Sequence, residues 1–149
     1  MKFVIQRVSE AKVEINNIVV GEIEKGLLVF VGVSNEDTKE IADKMIKKLI
    51  NMRIFEDSEG KTNLSLDSVD GGLLLVSQFT LYANCKKGNR PSFVDAGKPE
   101  LAKELYQYII YECEKQCKKV QKGEFGADMK ISLVNEGPFT IELNSKDLN

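Results

Sequence analysis

Histidine is absent from this chain of 149 residues. It is the base in Ser-His and Cys-His nucleophilic pairs and the most common general base in enzymes, so sites of both kinds are excluded. The absence sharply narrows the chemistry that a catalytic site in this chain can use.

Cysteine is scarce as well. The three cysteines, Cys85, Cys113 and Cys117, form an odd set without a secretory signal, which indicates reduced thiols. Cys113 and Cys117 lie four residues apart on a predicted helix, but with only one more cysteine and no histidine the chain has too few ligands for a closed zinc site. Packing in the core explains these thiols better, and we expect neither a metal nor another cofactor.

Long hydrophobic runs are also missing. No apolar run approaches the length needed to cross a membrane, and the first residues begin an alternating strand pattern instead of a signal peptide, so we expect a cytoplasmic protein. With 42% hydrophobic and 30% charged residues, the composition and length indicate one folded domain, residues 1–149. The net charge of -2 argues against nucleic-acid binding over the whole surface, but it allows a local basic surface.

The hydrophobic pattern predicts one sheet and two helices. Strands are expected at 2–8, 11–15, 18–23, 27–33, 73–76, 129–135 and 139–143, with weaker candidates at 53–55, 63–66 and 119–122. Helical spacing runs from Ile41 to Met52, after capping residues in Ser34-Asn-Glu-Asp37, and again from Pro99 to about Lys118. We predict an α/β fold with a mostly antiparallel, barrel-like sheet and two long helices packed against it.

One predicted strand turns polar where it ends. The apolar residues 73–76 are followed at once by Ser77, Gln78 and Thr80. A polar group left unpaired in a buried place costs about 1 to 3 kcal/mol, so these side chains need hydrogen-bond partners or a ligand. The pattern fits either a strand that surfaces with its hydroxyls in water or a functional site.

Basic residues offer further candidates. Arg7 interrupts the first strand, either as a solvent-facing side chain or as part of a site. Lys86, Lys87 and Arg90 lie in a loop with glycine and proline, close to the polar strand exit. The loop is either ordinary surface or a contact for phosphate groups, which lysine and arginine neutralise without reading sequence.

Four motifs together resemble the D-aminoacyl-tRNA deacylases: Ser77-Gln-Phe-Thr-Leu-Tyr-Ala83, Gly88-Asn-Arg-Pro-Ser-Phe93, Gly123-Glu-Phe-Gly-Ala-Asp-Met129 and Asn135-Glu-Gly-Pro-Phe-Thr140. The resemblance spans nearly the whole chain, and the first and last motifs are specific as a pair. A Gly-Pro bond is compatible with either isomer, so the residues alone leave cis and trans open.

The resemblance implies a homodimer whose two active sites lie at the subunit interface. The Gly137-Pro138 corner of one subunit, with a cis bond, would enter the pocket of the other. Its carbonyl groups would face the alpha carbon of the bound aminoacyl group and leave no room for an L side chain. Arg7 would orient the corner, and Phe125 and Met129 would line the pocket for the terminal adenosine.

The reaction implied is hydrolysis of the ester between a D-amino acid, or mischarged glycine, and the tRNA 3' end. The ribose 2'-hydroxyl would help to activate water, and backbone N–H groups, above all that of Phe79, would stabilise the oxyanion. Gln78 would orient the substrate, and Ser77 would support the strand exit. A covalent intermediate on Thr80 ranks lower, because that hydroxyl has no neighbouring histidine or terminal amine as a base.

The match to the family is not complete, and other functions are compatible with the sequence. The loop residues Asn84-Cys85 depart from the acidic residue and threonine expected for the family, which affects contacts with the acceptor stem and not the chemistry. A related group of deacylases has a trans Gly-Pro bond, but Ser77 and Phe79 place this chain with the D-specific branch. The alternatives are a nucleic-acid-binding adaptor dimer and a metal-dependent hydrolase, for which the sequence offers no ligand cluster.

Overall fold

The elements of the fold are taken from a computed structural model that describes residues 1–148. The strands are β1 Lys2–Ile15, β2 Ile18–Ile23, β3 Gly26–Gly32, β4 Phe55–Glu56, β5 Thr62–Leu64, β6 Gly72–Ser77, β7 Val120–Lys122 and β8 Lys130–Asn144. The helices are α1 Lys39–Ile50 and α2 Pro99–Gln116, with 3-10 turns at Asp67–Val69, Phe79–Tyr82 and Ser145–Asp147.

The main sheet is mixed and nearly closed. Its order is β2-β1-β3-β6-β7, and β8 pairs with β1. β1 is antiparallel to β2, β3 and β8, whereas β3–β6 and β6–β7 are parallel pairs. The two ends approach each other, because a Cβ on Gly21 of β2 would lie 2.8 Å from the carbonyl oxygen of Lys122 in β7. The barrel-like sheet with two helices is confirmed, with parallel pairs on one side of it.

The predicted strands 2–8 and 11–15 are a single strand, β1. Residues 2–8 pair with β3 and residues 11–15 pair with β2, so a single strand changes neighbours along its length. Asn16 and Asn17 then form the hairpin turn, with φ of 50° and 63°. Both residues in this left-handed region indicate a type I' turn, for which asparagine is well suited.

β6 lies between two layers of the core, as its unbroken apolar run predicts. Leu73 and Leu75 pack with the cluster that includes the helices, and Leu74 and Val76 pack with a second cluster around Val13. All four side chains are fully buried because successive residues of a strand point to opposite faces.

Both helices pack on the sheet through the predicted apolar faces. In α1 the buried residues are Ala42, Met45, Ile46 and Leu49, but the cap is Thr38, whose Oγ1 accepts from the amide of Ile41 at 3.3 Å. The predicted cap at 34–37 is therefore wrong, since Asp37 instead accepts from the Met1 ammonium group at 2.5 Å. Within residues 1–148, no helix is both long and apolar enough to cross a membrane.

β8 corrects the prediction of two final strands. Both of its halves pair with β1, with Asn135 opposite Val8 and Thr140 opposite Gln6. Residues 136–139 thus lie opposite Arg7 alone, as a wide bulge in a continuous strand. The bulge carries the Gly137-Pro138 corner away from the sheet.

Candidate functional site

A cavity of about 730 Å³ opens where β6 ends. The predicted residues Ser77, Gln78 and Phe79 form part of its wall, and Phe125 and Met129 lie on the wall as well. Apolar side chains make up most of the rest, and Lys98 and Asp128 are the charged residues among those lining it. This is the usual composition of a small-molecule site, with apolar walls and a few polar groups.

The polar strand exit lies on this wall as a short 3-10 turn. Gln78 still belongs to the sheet through its amide, which donates to the carbonyl of Val31 at 2.8 Å, and the turn Phe79–Tyr82 follows. The first amides of a helical turn have no partner inside that turn, and the Phe79 N–H finds no acceptor within residues 1–148. An N–H donor free in this way beside an apolar cavity can stabilise negative charge on a bound group.

Thr80 lies on the same turn but outside the residues that line the cavity. Its hydroxyl accepts a hydrogen bond from the side-chain amide of Gln78. An amide cannot act as the base that a threonine nucleophile needs. The contact instead links two of the predicted site residues across the start of the turn.

Arg7 is buried beside the bulge, with only 7% of its surface exposed, so the solvent-facing interpretation is wrong. Its Nη1 donates to the carbonyl of Ile54 at 2.8 Å and its Nε to the carbonyl of Glu136 at 3.2 Å. The guanidinium carbon also lies 4.6 Å from the ring centre of Phe139. Arg7 therefore holds both ends of the Glu136–Phe139 bulge, as a planar group with several donors can.

Gly137 and Pro138 form an exposed corner, and the bond between them is cis. Gly137 has a φ of +126°, and a Cβ there would lie 2.9 Å from Nη2 of Arg7, so only glycine fits without movement. Neither residue is among those that line the cavity of the same chain. One chain therefore carries both predicted parts of the site, but does not bring them together.

Asn135 is a residue of the corner whose role the sequence interpretation missed. Its side-chain amide donates to the carbonyl of Phe139 at 3.0 Å and accepts from the amide of Phe139 at 3.1 Å. It also donates to the carbonyl of Arg7 at 3.3 Å. An asparagine side chain can replace backbone partners in this way, and its position two residues before a Gly-Pro pair was the available signal.

Tyr106 is a second missed residue. No role was singled out for it from the sequence, yet it is buried in α2 and lines the cavity. Its hydroxyl donates to the carbonyl of Leu75 at 2.8 Å and lies 3.3 Å from that of Gly123, and burial raises the pKa of this phenol. Tyr106 thus connects the end of β6 to the segment that carries Phe125.

The basic residues Lys86, Lys87 and Arg90 are exposed and do not line the cavity. Their loop is closed at its base by Asn84 and Ser92, which exchange backbone hydrogen bonds of 2.7 and 2.9 Å. The loop therefore projects as a positively charged extension next to the cavity.

In the part of the chain that the structure describes, no group of three or more histidine, cysteine, aspartate or glutamate residues could hold a metal ion. All three cysteines are free thiols, Cys85 exposed, Cys113 buried and Cys117 half-buried.

Comparison with known proteins connects this geometry to one family. Residues 4–144 match the family model described as D-Tyr-tRNA(Tyr) deacylase. A protein of Fusobacterium nucleatum named D-aminoacyl-tRNA deacylase is 53% identical over 149 residues, covering 100% of this chain and 99% of that protein. One of the same name from Lactobacillus acidophilus is 56% identical over 144 residues, covering 97% and 99%.

Two solved structures share the fold. One described as a c-Myc DNA unwinding element binding protein has a TM-score of 0.92 and 37% identity, over 97% of this chain and 98% of that one. A second, described as a probable eukaryotic D-amino acid tRNA deacylase, has a TM-score of 0.77 over 95% and 97%. At 21% identity the second comparison supports the fold alone.

Proposed function

The chain belongs to the D-Tyr-tRNA(Tyr) deacylase family, and on that premise we propose that it hydrolyses the ester of D-aminoacyl-tRNA to free D-amino acid and tRNA. The observation that carries the proposal is that Phe79 lines an apolar cavity and that its amide has no acceptor within residues 1–148. A backbone donor suits a chain without histidine, because it stabilises the transition state without a side-chain base.

The Phe79 N–H is the oxyanion donor in this proposal. When water attacks the ester carbonyl, negative charge moves to the carbonyl oxygen, and a donor already aimed at that place lowers the barrier. Such a donor contributes about 2.7 to 4 kcal/mol. The ribose 2'-hydroxyl of the substrate helps to activate the water, so the nucleophile needs no protein base.

The remaining residues of the cavity hold the substrate. Phe125 and Met129 form the apolar wall on which the terminal adenosine rests, and Tyr106 supports that wall through Gly123. Gln78 orients the aminoacyl group, and its hydrogen bond to Thr80 limits the movement of both side chains. Ser77 supports the strand exit.

In this proposal, the Gly137-Pro138 corner of a second subunit discriminates between D- and L-aminoacyl groups. Gly137 and Pro138 are exposed and lie outside their own cavity, as a part that acts in a partner must. In a homodimer with active sites at the interface, the backbone of the corner faces the alpha carbon and leaves no space for an L side chain. Glycine has no side chain, so mischarged glycyl-tRNA is also accepted. Arg7 and Asn135 keep the corner rigid.

The acceptor stem of tRNA lies along the basic loop in this proposal. Lys86, Lys87 and Arg90 contact backbone phosphates, which supply affinity that does not depend on sequence and weakens with salt. A protein with this task works in the cytoplasm, where tRNA is charged.

The test is deacylation of three charged tRNAs by the purified protein. We expect release of D-tyrosine from D-tyrosyl-tRNA and of glycine from glycyl-tRNA, with L-tyrosyl-tRNA left intact. Hydrolysis of both tyrosyl enantiomers at equal rates would contradict the role of the corner. Survival of all three esters would contradict the proposed reaction itself.

Nucleic-acid binding without catalysis is the second candidate. The observation in its favour is the 37% identity to a protein described as binding a DNA unwinding element. A gel-shift experiment with uncharged tRNA and duplex DNA separates the two candidates when it is run beside the deacylation assay. Tight binding of either nucleic acid without ester cleavage would favour the binding protein.

A further inference from the structure

Phe93 is the second ring of an aromatic pair at the mouth of the cavity. Its ring centre lies 5.0 Å from that of Phe79, and the ring planes are 71° apart, the edge-to-face arrangement that aromatic pairs favour. Both residues line the cavity, yet 57% of Phe79 and 37% of Phe93 is exposed. Neither ring belongs to the two hydrophobic clusters found in residues 1–148, so core packing does not explain the pair.

The turn that carries the Phe79 amide is held by contacts at both of its ends. Leu81 packs against β3, where a Cβ on Gly32 would lie 2.9 Å from the Leu81 Cβ, and the carbonyl of Leu81 accepts from Lys2 at 3.3 Å. At the near end, the carbonyl of Gln78 accepts from the amide of Leu81 at 3.3 Å and its side-chain amide donates to Thr80, but neither contact reaches the ring of Phe79. The packing of the Phe79 ring on Phe93 is a contact that can hold the side chain of Phe79, and with it the residue that carries the N–H.

Phe93 is in a position to supply that support. The residue before it, Ser92, exchanges both backbone hydrogen bonds with Asn84 at 2.7 and 2.9 Å. The carbonyl of Phe93 accepts from the amide of Ala96 at 3.1 Å, and the side chain of Asn84 reaches Asp95 at 3.3 Å. A ring on a backbone held at both sides can hold a second ring in place.

The geometry points to Phe93 as a positioning residue for the proposed hydrolysis, on which this inference rests. Its ring fixes the ring of Phe79, and with it the direction of the N–H that faces the developing oxyanion. Phe93 acts through Phe79 and does not touch the reacting atoms. The expected signature is a loss in kcat that exceeds any change in KM, because the donor contributes to the transition state more than to binding.

The first experiment compares Phe93→Ala with Val94→Ala, using D-tyrosyl-tRNA as substrate. Val94 is the neighbouring residue, is 76% exposed and does not line the cavity, so its variant should match the wild type. For Phe93→Ala we expect kcat to fall by about 10- to 100-fold, the scale on which a displaced catalytic group slows an enzyme. The melting temperature should change little, because Phe93 lies outside the core.

Two further variants separate ring contact from apolar volume. Phe93→Tyr keeps the aromatic edge and should restore kcat, whereas Phe93→Leu keeps only apolar volume and should not. Phe79→Leu retains the backbone donor but removes its ring, and it should lower kcat as Phe93→Ala does. Because both changes remove one contact, the double variant should be no slower than the slower single variant.

Wild-type kcat in Phe93→Ala would overturn the positioning role, and so would losses that multiply in the double variant. A melting temperature that falls in step with kcat across the series would assign Phe93 a merely structural role and also overturn it. Wild-type protein that hydrolyses no D-aminoacyl ester would instead overturn the proposed function.

Discussion

Single residues around the bulge decide how firmly the corner is held. Arg7 was visible in the sequence as an odd residue in a strand, but its partners were not, because two of them are carbonyl groups far along the chain. Asn135 was identified only as the first residue of a motif, without a role. A side chain that bonds to backbone groups far along the chain leaves little local pattern. The sequence can therefore identify it as a candidate residue, but it does not show its hydrogen-bond partners.

Replacement of Arg7 should destabilise the fold as well as the corner. In Arg7→Ala the buried carbonyl of Ile54 and the part-buried carbonyl of Glu136 lose a charged donor, and hydrogen bonds to charged groups contribute about 1.5 to 3 kcal/mol. We expect urea unfolding to show a loss on that scale. Arg53→Ala, which removes an exposed arginine bonded to Asn63, is the control and should change stability by about 0.5 kcal/mol or less.

Gly137→Ala should weaken the discrimination between D and L substrates. The added Cβ would approach Nη2 of Arg7 at 2.9 Å and push the corner out of its place. The ratio of D- to L-tyrosyl-tRNA hydrolysis rates should fall, while Gly88→Ala, which also has a positive φ but open space around its Cβ, should leave it unchanged. An unchanged ratio in Gly137→Ala would argue against the corner as the chiral selector.

The cysteines should differ in reactivity. Burial raises the pKa of the Cys113 thiol to about 12, so at pH 8 it stays protonated as well as inaccessible, whereas Cys85 is exposed. Mass spectrometry after brief alkylation should find the label on Cys85 and not on Cys113. Since the folded state holds this proton more tightly, its stability should decline as pH rises above 9, the ordinary thiol value. Cys113→Ala should reduce that decline.

At the scale of elements, the sequence predicted most strands and both helices because their hydrophobic periods are regular. It divided β1 and β8 in two, because a bulge interrupts alternation locally while the pairing continues on both sides. It also placed the cap of α1 too early. Asp37 has the residue type of a cap, but the Met1 ammonium and the amide of Ser34 use its carboxylate.

The connection between α2 and the cavity wall offers a test at this scale. Tyr106→Phe removes the hydrogen bond to the Leu75 carbonyl and the longer contact with the Gly123 carbonyl. The Leu75 carbonyl keeps the Gly123 amide as a donor, so we expect a cost of about 1 kcal/mol. KM should rise while kcat is retained, because the wall for adenosine moves and the Phe79 donor does not. Tyr111→Phe, exposed on the same helix, should leave KM unaltered.

At the scale of the whole molecule, the parallel pairs β3–β6 and β6–β7 could not be predicted from the sequence. Each joins strands separated by a helix and by loops, so neighbouring residues carry no sign of the partner. The separation of corner and cavity within one chain likewise has no local signature. The resemblance to a family supplies the expectation of a dimer, which would bring the corner of one chain to the cavity of another.

A mixed dimer tests whether the corner acts in its partner. One variant has a defective corner, Gly137→Ala, and the other a blocked cavity, Phe125→Arg. If each site combines the cavity of one subunit with the corner of the other, a mixed dimer contains one intact site. Equal mixing should then restore D-specific activity to about a quarter of the wild-type sites by random pairing. No recovery in verified mixed dimers would contradict the shared site.

The bulge on β8 is a position where the chain can gain or lose residues during evolution. An insertion of one residue in a regular strand turns every later side chain to the opposite face of the sheet. Between Glu136 and Phe139 the chain has already left the ladder, and pairing resumes at Thr140. Length can therefore vary at the bulge while the hydrophobic face of the strand stays inward, so the proposed chiral selector can diverge without loss of the barrel.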